Sequence, residues 1–210
     1  MSDLTPSKDL QNFNRIMNSV RTSEHSDREV AIISVSVLEA ELRALLCTKL
    51  TPDADQHEPL FGLERPLAGF TARIALGRAL GLLDAELVNN LKMAARVRNE
   101  FAHSMEEMSF DHSKLDKAWA GLTLKTAEKL RERFVEEGLE FDDCDMYVEG
   151  QKVSFATVDP NNRVGIWLSE LADDGSRRSQ FLNCIRLLWY VMAKVRLDAQ
   201  MEAQAGTAGV

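Results

Sequence analysis

The chain has 210 residues, 45% of them hydrophobic and 28% charged, with a formal net charge of −8. That composition fits a globular domain with a real core and excludes an intrinsically disordered chain. The acidic balance opposes general nucleic-acid affinity, and no apolar run reaches the ~20 residues that span a bilayer, so no membrane partner is expected.

Residues 1–28 read as an N-terminal extension with one short helix, in which Leu10, Phe13, Ile16, Met17 and Val20 recur at helical spacing. No basic and apolar leader opens the chain, so a cytoplasmic location is expected. One helical domain is expected over 29–203. Its strongest segment runs from Arg28 to Leu50, where a stripe of Val30, Ile33, Val37, Ala40 and Ala44 adjoins a second of Leu38, Leu42 and Leu45. So broad an apolar arc predicts a helix packed on several sides, held helical by burial against its β-branched residues.

Thr51 to Arg65 reads as a loop on Pro52, Pro59 and Gly62, and Pro66 suits the first turn of the following helix. That helix carries Phe70, Ile74, Gly77 and Leu80. Gly77 permits the close approach of a neighbouring helix or is equally a tolerated weak point, Gly81 marks a left-handed stop and Asp84 an N-cap. The short connection predicts an antiparallel helical hairpin. Leu87, Leu91 and Ala94 set the inward face of its second arm, and a 100° step per residue places Arg98 near the middle of that face. A further helix is predicted from about Ser113 to Phe134, using Leu115, Ala118, Trp119, Leu122, Leu130 and Phe134.

Seven acids without a single Lys or Arg mark 136–149 as a solvated acidic linker. Residues 151–158 and 164–168, split by Asp159-Pro160-Asn161-Asn162, allow one small β-hairpin. Phe181, Ile185, Leu188, Met192 and Val195 predict a long last helix, locally basic through Arg177, Arg178, Arg186, Lys194 and Arg196. Residues 204–210 form an expected frayed tail. The fold class is therefore all-α, a multi-helix bundle around an antiparallel helical hairpin, with room for one β-hairpin near 151–168.

Little conventional chemistry is visible. Cys47, Cys144 and Cys184 are too few and too far apart for a disulfide framework, and Cys47 and Cys184 fall in apolar runs as buried thiols. His57, His103 and His112 lack the i,i+3 or i,i+4 pairing of a helical metal site, so no metal is expected. No phosphate-cradling glycine loop or nucleophile elbow occurs, and no cofactor is expected. Trp119, Trp167 and Trp189 read as core anchors. A helix-turn-helix at Leu80–Leu87 would open its second helix with Ala85-Glu86-Leu87, which suits a DNA major groove poorly.

The one pattern that could act chemically is Arg98-Asn99 with His103. An arginine grips an anion in bidentate fashion and a histidine moves a proton near neutral pH. Asn99 and His103 share a face at i,i+4, but Arg98 and His103 stand about 140° apart on one helix. Convergence needs the helix to end near Ala102, or a second copy. The competing account is a structural ion pair between Arg98 and Glu39 or Glu41, and it is favoured, because such pairs are common. No catalytic residue is assigned.

The stretch from Glu29 to Phe110 resembles the mannitol-repressor (MltR-like) family of bacterial regulators. The resemblance is carried by Leu38-Glu39-Ala40-Glu41-Leu42, Pro59-Leu60-Phe61-Gly62, Pro66 to Ile74, Ala79 to Leu83, and Arg96-Val97-Arg98-Asn99-Glu100-Phe101-Ala102-His103-Ser104, with Ser109-Phe110 following. It implies an all-α transcriptional regulator, a repressor, that works through a protein partner. Direct DNA binding is not expected, and a homodimer is compatible. Arg98-Asn99…His103 also resembles the R-N-x-x-x-H signature of HEPN domains, some of which are metal-independent ribonucleases. On that alternative, Arg98 would stabilise the phosphorane, His103 would move the 2′-OH proton and Asn99 would orient them, with RNA as the partner.

Overall fold

The structure is a computed structural model that describes residues 8–21, 24–50, 57–125, 129, 132–133, 140–148, 151–157, 165–167 and 175–207. Helix α1 (Lys8–Arg21) buries Leu10, Phe13, Met17 and Val20, so the expected extension forms a layer of the bundle itself. Phe13 lies flat on Trp189, with ring centroids 4.1 Å apart. Burying each such side chain stabilises by ~1.5–3 kcal/mol, enough to seat an otherwise polar helix.

Helix α2 (Asp27–Cys47) opens with a capping box that the sequence pattern had not singled out. Ser26 Oγ accepts from the Glu29 N–H, while the Ser26 N–H donates to the Glu29 carboxylate at 2.7 Å. Its buried face centres on Val35, Leu38, Leu42 and Leu45. Of the other expected stripe, Ala40 is exposed and Ile33, Val37 and Ala44 are half-buried.

Within the expected loop, Glu58–Phe61 forms the single turn α3. Helix α4 (Phe70–Ala79) begins four residues after Pro66, because Arg73 holds the preceding turn open: its Nε donates to the Leu67 carbonyl at 2.7 Å and its Nη2 to Ala68 at 3.1 Å. The end of α4 follows the sequence closely. Gly81 takes φ 72°, its N–H donates to Arg78, and the Leu82 N–H donates to Gly77, a Schellman stop. A Cβ on Gly77 would lie 2.8 Å from Leu83 Cδ1, so any larger residue there would force the Leu83 side chain to shift. Asp84 Oδ1 accepts from the Leu87 N–H at 2.8 Å and starts helix α5 (Ala85–His103), the second arm of the hairpin.

Downstream, a 3₁₀ turn (Ser113–Leu115) leads into helix α6 (Asp116–Gly121), so the helix expected to run to Phe134 is broken after Gly121, with helical residues again at 129 and 132–133. The cause is Asn90. Its buried side chain accepts from the Thr123 and Leu124 N–H groups at 2.9 and 3.1 Å, which draws the chain out of helical register. Leu130 and Phe134 lie outside the described residues. The acidic stretch read as a linker carries strand β1 (Glu140–Val148). It pairs antiparallel with β2 (Gln151–Thr157), which pairs in turn with β3 (Gly165–Trp167), so the expected hairpin gains a third strand.

Helix α7 (Arg177–Thr207) closes the bundle and extends beyond residue 203. Every residue from Phe181 to Ala193 is buried. Its arginines turn to partners within the bundle. Arg177 binds Asp116 at 2.9 Å, Arg178 binds Asp27 at 3.1 Å, Arg196 binds Glu41 at 2.6 Å, and Arg186 donates to Asn18. The partners order the packing: α7 runs parallel to α2 (Asp27–Arg178, Glu41–Arg196) and antiparallel to α1 (Asp9–Arg196, Asn14–Tyr190, Asn18–Arg186).

Candidate protein-interaction site

Arg98 sits at the edge of the α5 core face instead of its middle. Its Nη2 meets Glu39 Oε1 at 2.8 Å, and both side chains are 26% exposed. Glu41, the other expected partner, turns away to Arg196. Arg98 Nε is buried without a hydrogen-bond partner among the described residues, so the pair is incompletely satisfied. Asn99 and His103 are exposed, turned about 100° and 140° around the helix from Arg98. The helix continues through His103, so the early ending that would have let Arg98 and His103 converge does not occur. Within one chain, five residues of helix leave the two groups about 140° apart in rotation and about 7.5 Å apart along the axis.

The segment beyond the helix is more organised than the pattern itself. At Ser104 the chain leaves α5 and is fastened to the first turn of α2. Arg28 Nη2 donates to the carbonyls of Ser104 (2.6 Å) and Glu106 (3.2 Å), and Asp27 Oδ2 accepts from the Phe110 N–H at 2.9 Å. Arg178 locks Asp27 from behind while donating to the carbonyls of Val20 and His25. Phe110 is buried between Phe101 and Phe181, with centroids 5.0 and 5.1 Å away. Two charged side chains and an aromatic cluster therefore hold one loop against one helix start.

The result is an open groove of about 580 Å³ lined by Arg28, Met105, Glu106, Glu107, Met108 and His112, among others. Met105 is fully exposed, whereas Met108 is buried beneath it in the chain's core. Glu106 reaches Lys114 only at 3.7 Å, between two well-exposed side chains, and His112 Nδ1 accepts from the Lys114 N–H. A pliable thioether displayed beside two carboxylates suits the surface of another protein, since methionine adapts its shape to what it meets. The sequence signal was short: Met105-Glu106-Glu107-Met108 directly after a helix end. The anchors Asp27 and Arg28 have no local pattern to distinguish them.

Other reactive groups are quiet. Full burial pushes the Cys184 thiol up to about 12, far from thiolate chemistry, and burial also raises Cys47. Among the described residues, no three His, Cys, Asp or Glu side chains gather as a metal site, and no helix is long and apolar enough to cross a membrane.

No protein-family model matches the chain, and no curated protein matches it. Among solved structures, a chain of the MtlR–HPr complex from Escherichia coli matches 88% of this chain and 98% of its own length, at 17% identity and a TM-score of 0.51. At that identity the likeness establishes a shared fold: the helical bundle described above is built like a chain of the MtlR–HPr complex.

Proposed function

We propose that the chain is a MltR-like transcriptional regulator, a repressor that acts by binding a protein partner and does not read DNA itself. The observation that carries this reading is the fold shared with a chain of the MtlR–HPr complex along nearly its whole length. Two features of the surface support it. Arg177, Arg178 and Arg196 of α7 are engaged in internal pairs and are not available to phosphates. The anchored groove around Met105 supplies a preorganised seat for a partner, and HPr is the first partner to try. In this reading Arg98 serves the bundle through Glu39, and the Arg98, Asn99 and His103 set has no catalytic role.

Calorimetric titration with purified HPr and with a promoter fragment, both at physiological salt, tests the proposal. HPr should bind, Met105→Asp should weaken it at least about tenfold without changing the melting temperature, and the promoter alone should not bind. Tight promoter binding without any HPr binding would overturn it.

A further inference from the structure

We infer that the turn between α3 and α4 is a contact between two copies of this chain, forming a twofold dimer centred on Leu63. In that dimer Glu64 and Arg65 of each copy meet Arg65 and Glu64 of the other. The inference stands on different residues from the groove and does not depend on the partner proposed for it.

Leu63 is 91% exposed, one of four large apolar side chains left exposed among the described residues, with Leu80, Met105 and Met201. A single exposed leucine is ordinary; the way this one is presented is not. The turn is rigid. The Leu67 N–H closes it onto the Leu60 carbonyl at 2.9 Å, and the Arg65 and Ala68 N–H groups bind Gly62 and Arg65 within it. Below, Phe61 is buried with the Arg43 and Arg73 guanidinium groups 5.1 and 5.5 Å from its ring centroid. Arg43 reaches on to Glu58 at 2.9 Å, and Arg73 holds the carbonyls of Leu67 and Ala68.

At the tip, Glu64 takes φ 61°, a left-handed conformation uncommon outside glycine. Strained backbone of this kind persists only where its surroundings impose it, and it marks places with a use. Here it accompanies an apolar side chain held out to solvent in a fixed direction. Exposed Pro59 and Pro66 and half-buried Leu60 and Leu67 extend the apolar surface around it. A turn already ordered loses little entropy when it docks.

The charges select the occupant. Glu64 and Arg65 are exposed neighbours of opposite sign, and neither makes an ion pair or side-chain hydrogen bond among the described residues. A twofold axis brings the same patch against itself, so each residue meets its counterpart's neighbour. An acid and a base side by side satisfy that requirement with no other protein involved.

Sedimentation velocity over a wide concentration range tests this on the full chain. The wild type should pass from monomer to dimer, and Leu63→Asp should raise the dimer dissociation constant at least about tenfold. Glu64→Arg or Arg65→Glu alone sets like charges against each other and should weaken the dimer, whereas the double swap E64R/R65E should restore it. Below the wild-type dissociation constant, where the chain is monomeric, melting curves of the four variants should match the wild type, since all three side chains then face solvent. A wild type that stays monomeric overturns the inference. So does a dimer indifferent to Leu63→Asp, or a double swap no better than the single ones.

Discussion

Glu39 and Glu41 stand two residues apart on α2 and each holds one arginine, yet they are different kinds of site. Two residues turn a helix by about 200°, so the first faces α5 and the second faces α7. The Arg98–Glu39 pair is 2.8 Å long and a quarter exposed on both sides. The Arg196–Glu41 pair is 2.6 Å long with side-chain exposures of 12% and 5%, and Asp9 closes on the same guanidinium from α1 at 3.2 Å. The arginine inside the distinctive sequence pattern belongs to the weaker pair. The arginine that joins three helices lies in a helix with no motif at all.

The contrast is easiest to break at its buried end. Glu41→Ala leaves the Arg196 cation with only exposed Asp9 to answer it, and should cost about 3–5 kcal/mol in a denaturant titration. A loss no greater than that of Arg98→Met would erase the distinction. The pH dependence sharpens it. Burial raises the Glu41 carboxyl against the pull of Arg196, so the native chain keeps that proton to higher pH than the unfolded chain does. Its contribution is therefore most favourable below the ordinary carboxylate range and declines as pH rises through the raised value. Glu41→Gln should remove that slope from a stability profile.

Asp84 shows the opposite sign and an intermediate size. Burial works to raise its carboxyl, but the Leu87 N–H and Arg133 outweigh that and hold it below its usual value. Its stabilisation is present above the ordinary carboxylate range and is lost as pH falls through the depressed value. Asp84→Ala should cost about 1–2 kcal/mol by thermal melting near neutral pH and flatten the acid limb.

Arg98→Met should cost no more than about 1 kcal/mol, since solvent reaches both partners of the pair. His103→Ala should change stability by less than about 0.5 kcal/mol. It should also leave the behaviour of mixed RNA in EDTA unaltered. Metal-independent cleavage that disappears in His103→Ala would return the site to the ribonuclease alternative and sink the regulatory reading.

The features legible in the sequence are those made by near neighbours in the chain. Gly77, Gly81 and Asp84 specify a helix stop, a close approach and a helix start within eight residues, and the observed hydrogen bonds are the ones their chemistry demands. Periodicity likewise marked α2, α5 and α7, because an apolar stripe must be buried wherever the partner lies. Tertiary structure decided what periodicity leaves open. Helical phase allowed Arg98 either Glu39 or Glu41, and the packing of α7 took Glu41. Asn90 ended α6 from a position 31 residues earlier in the chain, through bonds to Thr123 and Leu124. Strand β1 formed on acidic residues because β2 offered a backbone ladder, which no local composition reports.

The same division runs through the pattern at the end of α5. The sequence by itself determined that Arg98, Asn99 and His103 lie on one helix, and the 100° step already separated the first from the last. Only the folded chain decided that the helix would run through His103, that Arg98 would go to Glu39, and that Arg28, Asp27 and Arg178 would fasten the next loop into a groove. Those are contacts between residues about 60 to 150 positions apart, and their selection depends on which helices pack together, a non-local choice that a helical repeat does not encode.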